Sequence, residues 1–179
     1  KTKYIVTGTN LLAFSKSAES LNYILEIAKD FRIKVIIDVN WREIFWDHSN
    51  VDKNLRFKKV KNFLHYADIL KLASEEAYLF FETNDPYEIS KELIKQPDVI
   101  ITNGSKQINW YLNGIKGSNE VFKYTSKIID TTGAGDAFLA GLISRLYFDS
   151  NLDNQDKMKE IIKFASVCGL LTCFGEGAI

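Results

Sequence analysis

The sequence is poor in several features, and each shortage excludes a class of protein. Its 179 residues include two cysteines, Cys168 and Cys173, which lie five positions apart in an apolar segment. Two thiols without a second pair of ligands supply neither a disulfide framework nor a structural zinc site, and they are typical of reduced side chains in a cytoplasmic protein. The apolar runs are too short to cross a bilayer and no signal-peptide pattern opens the chain, so no membrane partner is expected.

An excess of charge of either sign is also absent. Lysine plus arginine and aspartate plus glutamate both number 23, which gives a formal net charge of zero. A polyanion-binding surface needs a basic excess, so nucleic acid is not predicted as a partner. Because 46% of the residues are hydrophobic and 13% are aromatic, residues 1–179 are expected to form a single domain with a sizeable core.

Both ends of the sequence resemble interior points of a longer domain. The chain begins at Lys1, without a methionine, in a strand-like run, and it stops at Ile179 just after a glycine-rich turn. Domains seldom begin inside an element, so the sequence predicts a fragment. The uncovered sheet edge of such a fragment predicts that this segment alone either forms a homodimer or binds its ligand weakly.

Short β-branched runs alternate with segments of helical spacing. The runs predict strands at 3–7, 34–37, 68–72 and 99–102. Helices are expected to begin at a capping Ser15 or Ser17, at Leu55, at a capping Ser74 and at Pro86. Residues 108–112 and 120–124 flank Asn113-Gly114 and predict an antiparallel hairpin. The pattern is that of an α/β fold with an open, mostly parallel sheet flanked by helices.

One later stretch contains a small-residue turn that opens a helix. Gly133 and Gly135 lack a Cβ, so the backbone can turn tightly and a ligand can approach it closely. The free amides at the start of such a helix favour an anion, and phosphate is the usual occupant. Asp136 lies in the first helical turn, where it is either a charge that complements the helix dipole or a base aimed at a phosphoryl acceptor.

Two familiar glycine motifs are excluded for this turn. No third glycine follows at the dinucleotide-binding spacing, and the lysine and hydroxyl of a Walker-type loop are missing. A glycine turn followed by an aspartate is chemically coherent for phosphoryl transfer, because amides stabilise the transferring charge while the carboxylate accepts a proton.

Polar residues also follow two of the predicted strands. Asp38, Asn40 and Arg42 come after the second strand, where alternation puts them on one side if the backbone stays extended. Either these residues bind hydroxyl or phosphate oxygens of a ligand, or they form a capped turn in which Asp38 and Arg42 pair. Glu75 and Glu76 follow the third strand and are either dipole complements or candidates for holding a metal–water shell.

Residues 130–138, DTTGAGDAF, resemble the C-terminal signature of the ribokinase-like (PfkB) carbohydrate kinases, and the resemblance extends along essentially the whole chain. Residues 38–42 with Phe45-Trp46 resemble fructokinase-type members. Residues 70–77 are similar to the segment around the family's magnesium-associated glutamate, and 102–106 to its nucleotide-side turn. Residues 165–169 and 175–178 are similar to its adenine-side helix and loop.

The resemblance implies a ribokinase-like fold and a set of roles. Asp136 would be the catalytic base, and Gly133, Ala134 and Gly135 would form the anion hole for the phosphate of ATP. Arg42 would neutralise phosphate or contact the sugar, with Asp38 and Asn40 as further substrate or phosphate candidates. Nucleotide-binding positions would be Thr102, Gly104, Cys168 and Gly177. Glu76 would hold Mg²⁺ through water, and Asp130 and Thr132 match positions that bind a monovalent cation such as K⁺.

Two departures from the family pattern accompany these implications. Ala73 stands where the metal motif usually has asparagine, which weakens the role of Glu76. The N-terminal sugar-binding segment and the β-lid of the family have no counterpart in this sequence. The implied activity is ATP-dependent phosphorylation of a sugar hydroxyl, with fructose as the first candidate acceptor. The alternatives are a non-catalytic binding or regulatory module, and a kinase acting on 2-keto-3-deoxygluconate, ribose or a nucleoside.

Overall fold

The computed structural model describes residues 2–46, 52–122, 124, 127–149 and 154–177. Within these ranges the chain forms a six-stranded sheet with helices on both faces. The strands are β1 Tyr4–Gly8, β2 Lys34–Asp38, β3 Ile69–Ala73, β4 Asp98–Thr102, β5 Ile108–Leu112 and β6 Ile115–Asn119. The helices are α1 Ser15–Asp30, α2 Lys53–Leu64, α3 Ser74–Phe81, α4 Pro86–Glu92, α5 Ala134–Phe148 and α6 Gln155–Thr172, with short 3-10 turns at Thr9–Ala13 and Glu43–Phe45.

The strands lie side by side in the order in which they occur in the sequence. β1 to β4 are mutually parallel, and β5 and β6 continue the sheet in antiparallel orientation. This confirms the predicted α/β fold with a mostly parallel sheet and a terminal hairpin. The carboxyl ends of the parallel strands share one edge, so Asp38, Ala73 and Thr102 lie along the crevice where α/β proteins bind ligands.

Side-chain alternation divides the sheet between two cores. Val35 and Ile37 of β2 pack with the first four helices, whereas Ile36 packs with α5 and α6. The same alternation in β3 puts Leu70 and Leu72 on the first side and Ile69 on the second. Asp38 and Lys71 lie two positions after Ile36 and Ile69 on the same strands, so their side chains also project toward α5.

The hairpin is tighter than the sequence suggested. Its second strand is Ile115–Asn119, and the prediction of 120–124 was wrong. Asn113 and Gly114 both adopt positive φ, 48° and 79°, so they complete a two-residue turn of the hairpin type and Leu112 pairs directly with Ile115.

Two predicted helix caps were also wrong. Phe14, whose side chain makes no capping hydrogen bond, occupies the N-cap of α1, and Ser15 is already helical. The N-cap of α3 is Ala73 in place of Ser74, because the Glu76 carboxylate reaches back and accepts a hydrogen bond from the Ala73 amide at 2.8 Å. None of the helices within the described ranges combines the length and apolarity needed to cross a bilayer.

Candidate active site

The turn that precedes α5 has the geometry expected of an anion-binding helix start. Gly133 is the N-cap and adopts a φ of 80°, which residues with a side chain seldom reach. The first helical hydrogen bond runs from the Ala137 amide to the Gly133 carbonyl at 2.9 Å. The amides of Gly135 and Asp136 precede that bond, so they point out of the helix end and are free to bind a ligand.

Asp130 stabilises this turn through hydrogen bonds. Its carboxylate accepts hydrogen bonds from the Thr132 amide at 2.9 Å, from the Thr132 hydroxyl at 2.8 Å and from the Gly177 amide at 3.1 Å. The hydrogen bond from the Thr132 amide is the main cause that lowers the pKa of Asp130. The carboxylate therefore stays ionised and ties the loop that contains Gly177 to the glycine turn.

Asp136 occupies the first turn of α5 and is exposed to solvent. Its negative charge helps to raise the pKa of Asp38, so the two carboxylates are close enough to interact electrostatically. Asp136 is thus an exposed carboxylate in the neighbourhood of Asp38, the last residue of β2.

The partner of Asp38 is Lys71, so the alternative interpretation of this segment, in which Asp38 pairs with Arg42, does not hold. The two residues stand opposite each other in the register of β2 and β3, and the Lys71 ammonium donates to both carboxylate oxygens at 2.8 and 3.0 Å. Each residue is 7% exposed. Burial raises the pKa of the Asp38 carboxyl, although the charge and hydrogen bonds of Lys71 act in the opposite direction.

The side-chain alternation expected beyond Asp38 does not continue. β2 ends at Asp38, and Asn40 adopts a φ of 39°, so the backbone is no longer extended there. Arg42 is exposed and lies close enough for its charge to lower the pKa of Asp38 slightly. Asp38 and Arg42 therefore belong to one charged group, while Asn40 provides the bend between them.

Glu76 is held by backbone amides on both sides of the crevice. One carboxylate oxygen accepts from the Trp41 amide at 2.6 Å and the other from the Ala73 amide at 2.8 Å. Burial is the main cause that raises the pKa of this carboxyl. The Trp41 ring is stacked on Trp46 and Phe57 with centroid distances of 5.2 and 5.5 Å, so the segment before Arg42 is fixed by packing as well.

The geometry of Glu76 fits a metal held through water. Each oxygen keeps a lone pair beyond its backbone hydrogen bond and can accept from a metal-bound water. Across the described ranges, histidine, cysteine, aspartate and glutamate form no group of three or more that could coordinate a metal directly.

A cavity of about 420 Å³ opens beside the glycine turn. The predicted nucleotide positions Thr102 and Gly104 line it, together with Ala134 and Gly135 of the turn. Ser166, Gly169 and Leu170 of α6 line it as well, as does Cys173, which directly follows α6.

The other two predicted nucleotide positions lie elsewhere. Cys168 packs against α5, since its sulfur would be 2.9 Å from a Cβ on Gly141. Gly177 adopts a φ of 76° in the loop that is hydrogen-bonded to Asp130. Ala178, part of the same sequence resemblance, lies outside the described residues.

Sequence reasoning missed two residues of this site. Lys71 carried a signal, because a lysine within the apolar run Ile69–Leu72 has to find a partner when the strand is buried. Gly169 carried little signal, because nothing in the helical pattern of α6 indicates how closely its backbone passes to Ala134.

Comparison with known proteins agrees with the fold. The model of the pfkB family carbohydrate kinases matches residues 2–179. The chain is 32% identical over 157 residues to probable fructokinase-6, chloroplastic, of Arabidopsis thaliana, covering 85% of this chain and 39% of that protein. It is 31% identical over 159 residues to fructokinase-1 of Oryza sativa subsp. japonica, covering 87% of this chain and 47% of that protein.

A solved structure extends the comparison to three dimensions. The fructokinase double mutant of Vibrio cholerae O395, bound to fructose, ADP and potassium ion, superposes with a TM-score of 0.81 at 27% identity, over 99% of this chain and 56% of that one. The chain thus spans about half the length of the proteins that it matches. Because the family model covers all but the first residue, the chain belongs to the pfkB family of carbohydrate kinases.

Proposed function

We propose that the protein containing this chain transfers the γ-phosphoryl group of ATP to a sugar hydroxyl, with fructose as the first candidate acceptor. The observation that carries the proposal is the position of Asp136 in the first turn of α5, directly after the Ala134 and Gly135 backbone that borders the cavity. A base and an anion-binding helix start are thereby available to the same reacting group.

The chemistry assigned to these residues is a direct in-line transfer. The sugar oxygen forms a bond to the γ-phosphorus, the bond from that phosphorus to the ADP oxygen breaks, and the hydroxyl proton goes to the Asp136 carboxylate. The amides at Gly135 and Asp136 stabilise charge on the transferring phosphoryl group. Arg42 is proposed to neutralise phosphate charge at the mouth of the crevice.

The cavity is the proposed nucleotide site. Its volume of about 420 Å³ falls within the range of small-molecule pockets, and Ile108, Phe138 and Leu170 provide apolar walls suited to a purine. Thr102 and Gly104 lie at the end of β4, where a nucleotide can pass close to the backbone.

Cations complete the proposed site. Mg²⁺ would neutralise charge on the β- and γ-phosphate oxygens when bound, with Glu76 holding one of its waters. A monovalent cation, K⁺ first, is assigned to Asp130 and Thr132, because the carboxylate of Asp130 carries a negative charge beside the glycine turn and the Thr132 hydroxyl lies 2.8 Å from it. The proposed compartment is the reducing cytoplasm, since Cys168 and Cys173 are both free thiols.

The test compares two matched aspartate variants of the whole protein that contains this chain. Asp136→Asn should leave ATP binding nearly intact and lower kcat by roughly 10²–10⁴-fold in a coupled assay with ATP and sugar. Asp156→Asn is the control, because Asp156 also lies in the first turn of a helix, α6, but away from the cavity.

The control distinguishes a base from a dipole complement. If Asp136 only complements the helix dipole, both variants should lose about 0.3–1 kcal/mol of stability and neither should change kcat. Normal turnover by Asp136→Asn would show that the base assignment is wrong. The acceptor panel contains fructose, ribose, 2-keto-3-deoxygluconate and a nucleoside, and no turnover with any of them would favour the non-catalytic module.

A further inference from the structure

The buried pair of Asp38 and Lys71 is not explained by the stability of the fold. Both residues are 7% exposed and lie on the face of the sheet that packs against α5 and α6. Removing two charges from water costs free energy that their attraction repays only in part, and apolar replacements of such pairs are often as stable or more so. A role other than stability is therefore indicated for this pair.

Its position suggests what that role is. The Lys71 ammonium nitrogen lies 3.4 Å from the point where a Cβ on Gly135 would be. Gly135 belongs to the first turn of α5 and borders the cavity. The ammonium group thus lies against Gly135, one of the two residues to whose amides the preceding section assigns the transferring phosphoryl group.

Lys71 also keeps a donor for a ligand. An ammonium group carries three N–H donors, and within the described ranges Lys71 donates to Asp38 alone, at 2.8 and 3.0 Å to its two oxygens. The charges of Arg42 and Asp136 act on the same carboxylate. Glu76 also interacts with Asp38 and Lys71, so the group holds three carboxylates and two cations, and Lys71 and Arg42 are its side chains that attract a phosphate group.

We propose that Lys71 binds the terminal phosphoryl group of the nucleotide from beneath the Gly133–Gly135 turn, and that Asp38 is the positioning residue that holds its ammonium group there. The third N–H of Lys71 donates to a phosphoryl oxygen while Asp38 keeps the other two. The inference rests on the proposed function, because it takes the turn to be the phosphoryl site.

The experiment compares ATP with AMP, which lacks both the β- and the γ-phosphoryl group, by titration calorimetry on the whole protein that contains this chain. Lys71→Met should weaken ATP binding by roughly 10–100-fold, the range of a hydrogen bond to a charged group, and leave AMP binding within about twofold. Asp38→Asn keeps the Lys71 charge but removes one of the two acceptor oxygens that position it, so it should weaken ATP binding measurably but less than Lys71→Met does.

A double variant separates binding from folding. Lys71→Met alone leaves Asp38 buried without a partner and can unfold the protein, whereas Asp38→Asn with Lys71→Met removes both charges together. The double variant should remain folded by circular dichroism and should show the same selective loss of ATP affinity as Lys71→Met.

Several results would overturn the inference. Equal loss of ATP affinity in Asp38→Asn and Lys71→Met would mean that the pair acts only through structure. Wild-type affinity in the double variant, or equal weakening of ATP and AMP, would remove Lys71 from the phosphoryl site. A wild-type protein that binds ATP but phosphorylates no sugar contradicts the proposed function alone, whereas one that binds no nucleotide contradicts both.

Discussion

Gly169 of α6 offers a test of how the glycine turn is supported, because its backbone lies against the first residue of α5. A Cβ at Gly169 would be 2.8 Å from the Ala134 carbonyl oxygen and 3.4 Å from the Phe138 Cβ. The closer neighbour is backbone, which cannot rotate out of the way. Gly169→Ala should therefore move the start of α5 away from α6 and shift the turn that ends at Gly135.

The expected loss of stability is small because two effects oppose each other. Overpacking at a tight contact costs about 1–3 kcal/mol, whereas alanine in place of glycine within a helix gains about 1 kcal/mol. The free energy of unfolding should therefore fall by about 0–2 kcal/mol in a urea titration. The functional loss should be larger in proportion. Displacement of the amides that are proposed to bind the phosphoryl group should lower kcat/KM for ATP by roughly tenfold or more.

Gly141→Ala is the matched control, since Gly141 lies in the same helix interface but deeper along α5. A Cβ there would be 2.9 Å from the Cys168 sulfur and 3.2 Å from the Ala165 Cα, so it also crowds α6. Its stability loss should be similar, while kcat/KM should stay within about twofold of the wild type. If both variants lose kcat/KM equally, or if Gly169→Ala loses none, the inferred support of the turn by Gly169 is refuted.

Two further predictions concern stability. The Thr132 hydrogen bonds lower the folded-state pKa of Asp130. Its contribution to the free energy of unfolding is therefore full above the unfolded aspartate pKa of about 3.9, and it is lost as pH falls through the lower folded-state value. The urea midpoints of wild type and Asp130→Ala should thus differ by a constant amount near neutral pH and converge in acid; a difference that persists undiminished in acid would contradict this. A Cβ on Gly117 would be 2.2 Å from the buried Trp110 ring, so Gly117→Ala should cost about 1–3 kcal/mol of unfolding free energy by urea titration. Ser118→Ala is its control and should change stability by less than about 0.5 kcal/mol; equal losses in the two variants would speak against the contact with Trp110.

Features that depend on neighbours in the chain could be predicted from the sequence. The β-branched runs that became β2 and β4 were recognised because alternation and flanking turn residues are local signals. The glycine turn and the following α5 were recognised for the same reason, since Gly133 supplies the positive φ and Asp136 follows in the first helical turn. The hairpin shows the limit of such reasoning, because a two-residue turn at Asn113-Gly114 and a longer connection leave similar patterns.

Features that depend on strand register and helix packing required the tertiary structure. The pairing of Asp38 with Lys71 follows from the alignment of β2 with β3, which no local pattern specifies. The approach of Gly169 to Ala134 follows from the packing of α6 on α5. The sequence by itself therefore determined that a glycine turn with an adjacent carboxylate is present at the start of a helix. The tertiary structure decided which buried cation and which backbone lie against that turn, because contacts between residues distant in the chain are set by packing and register.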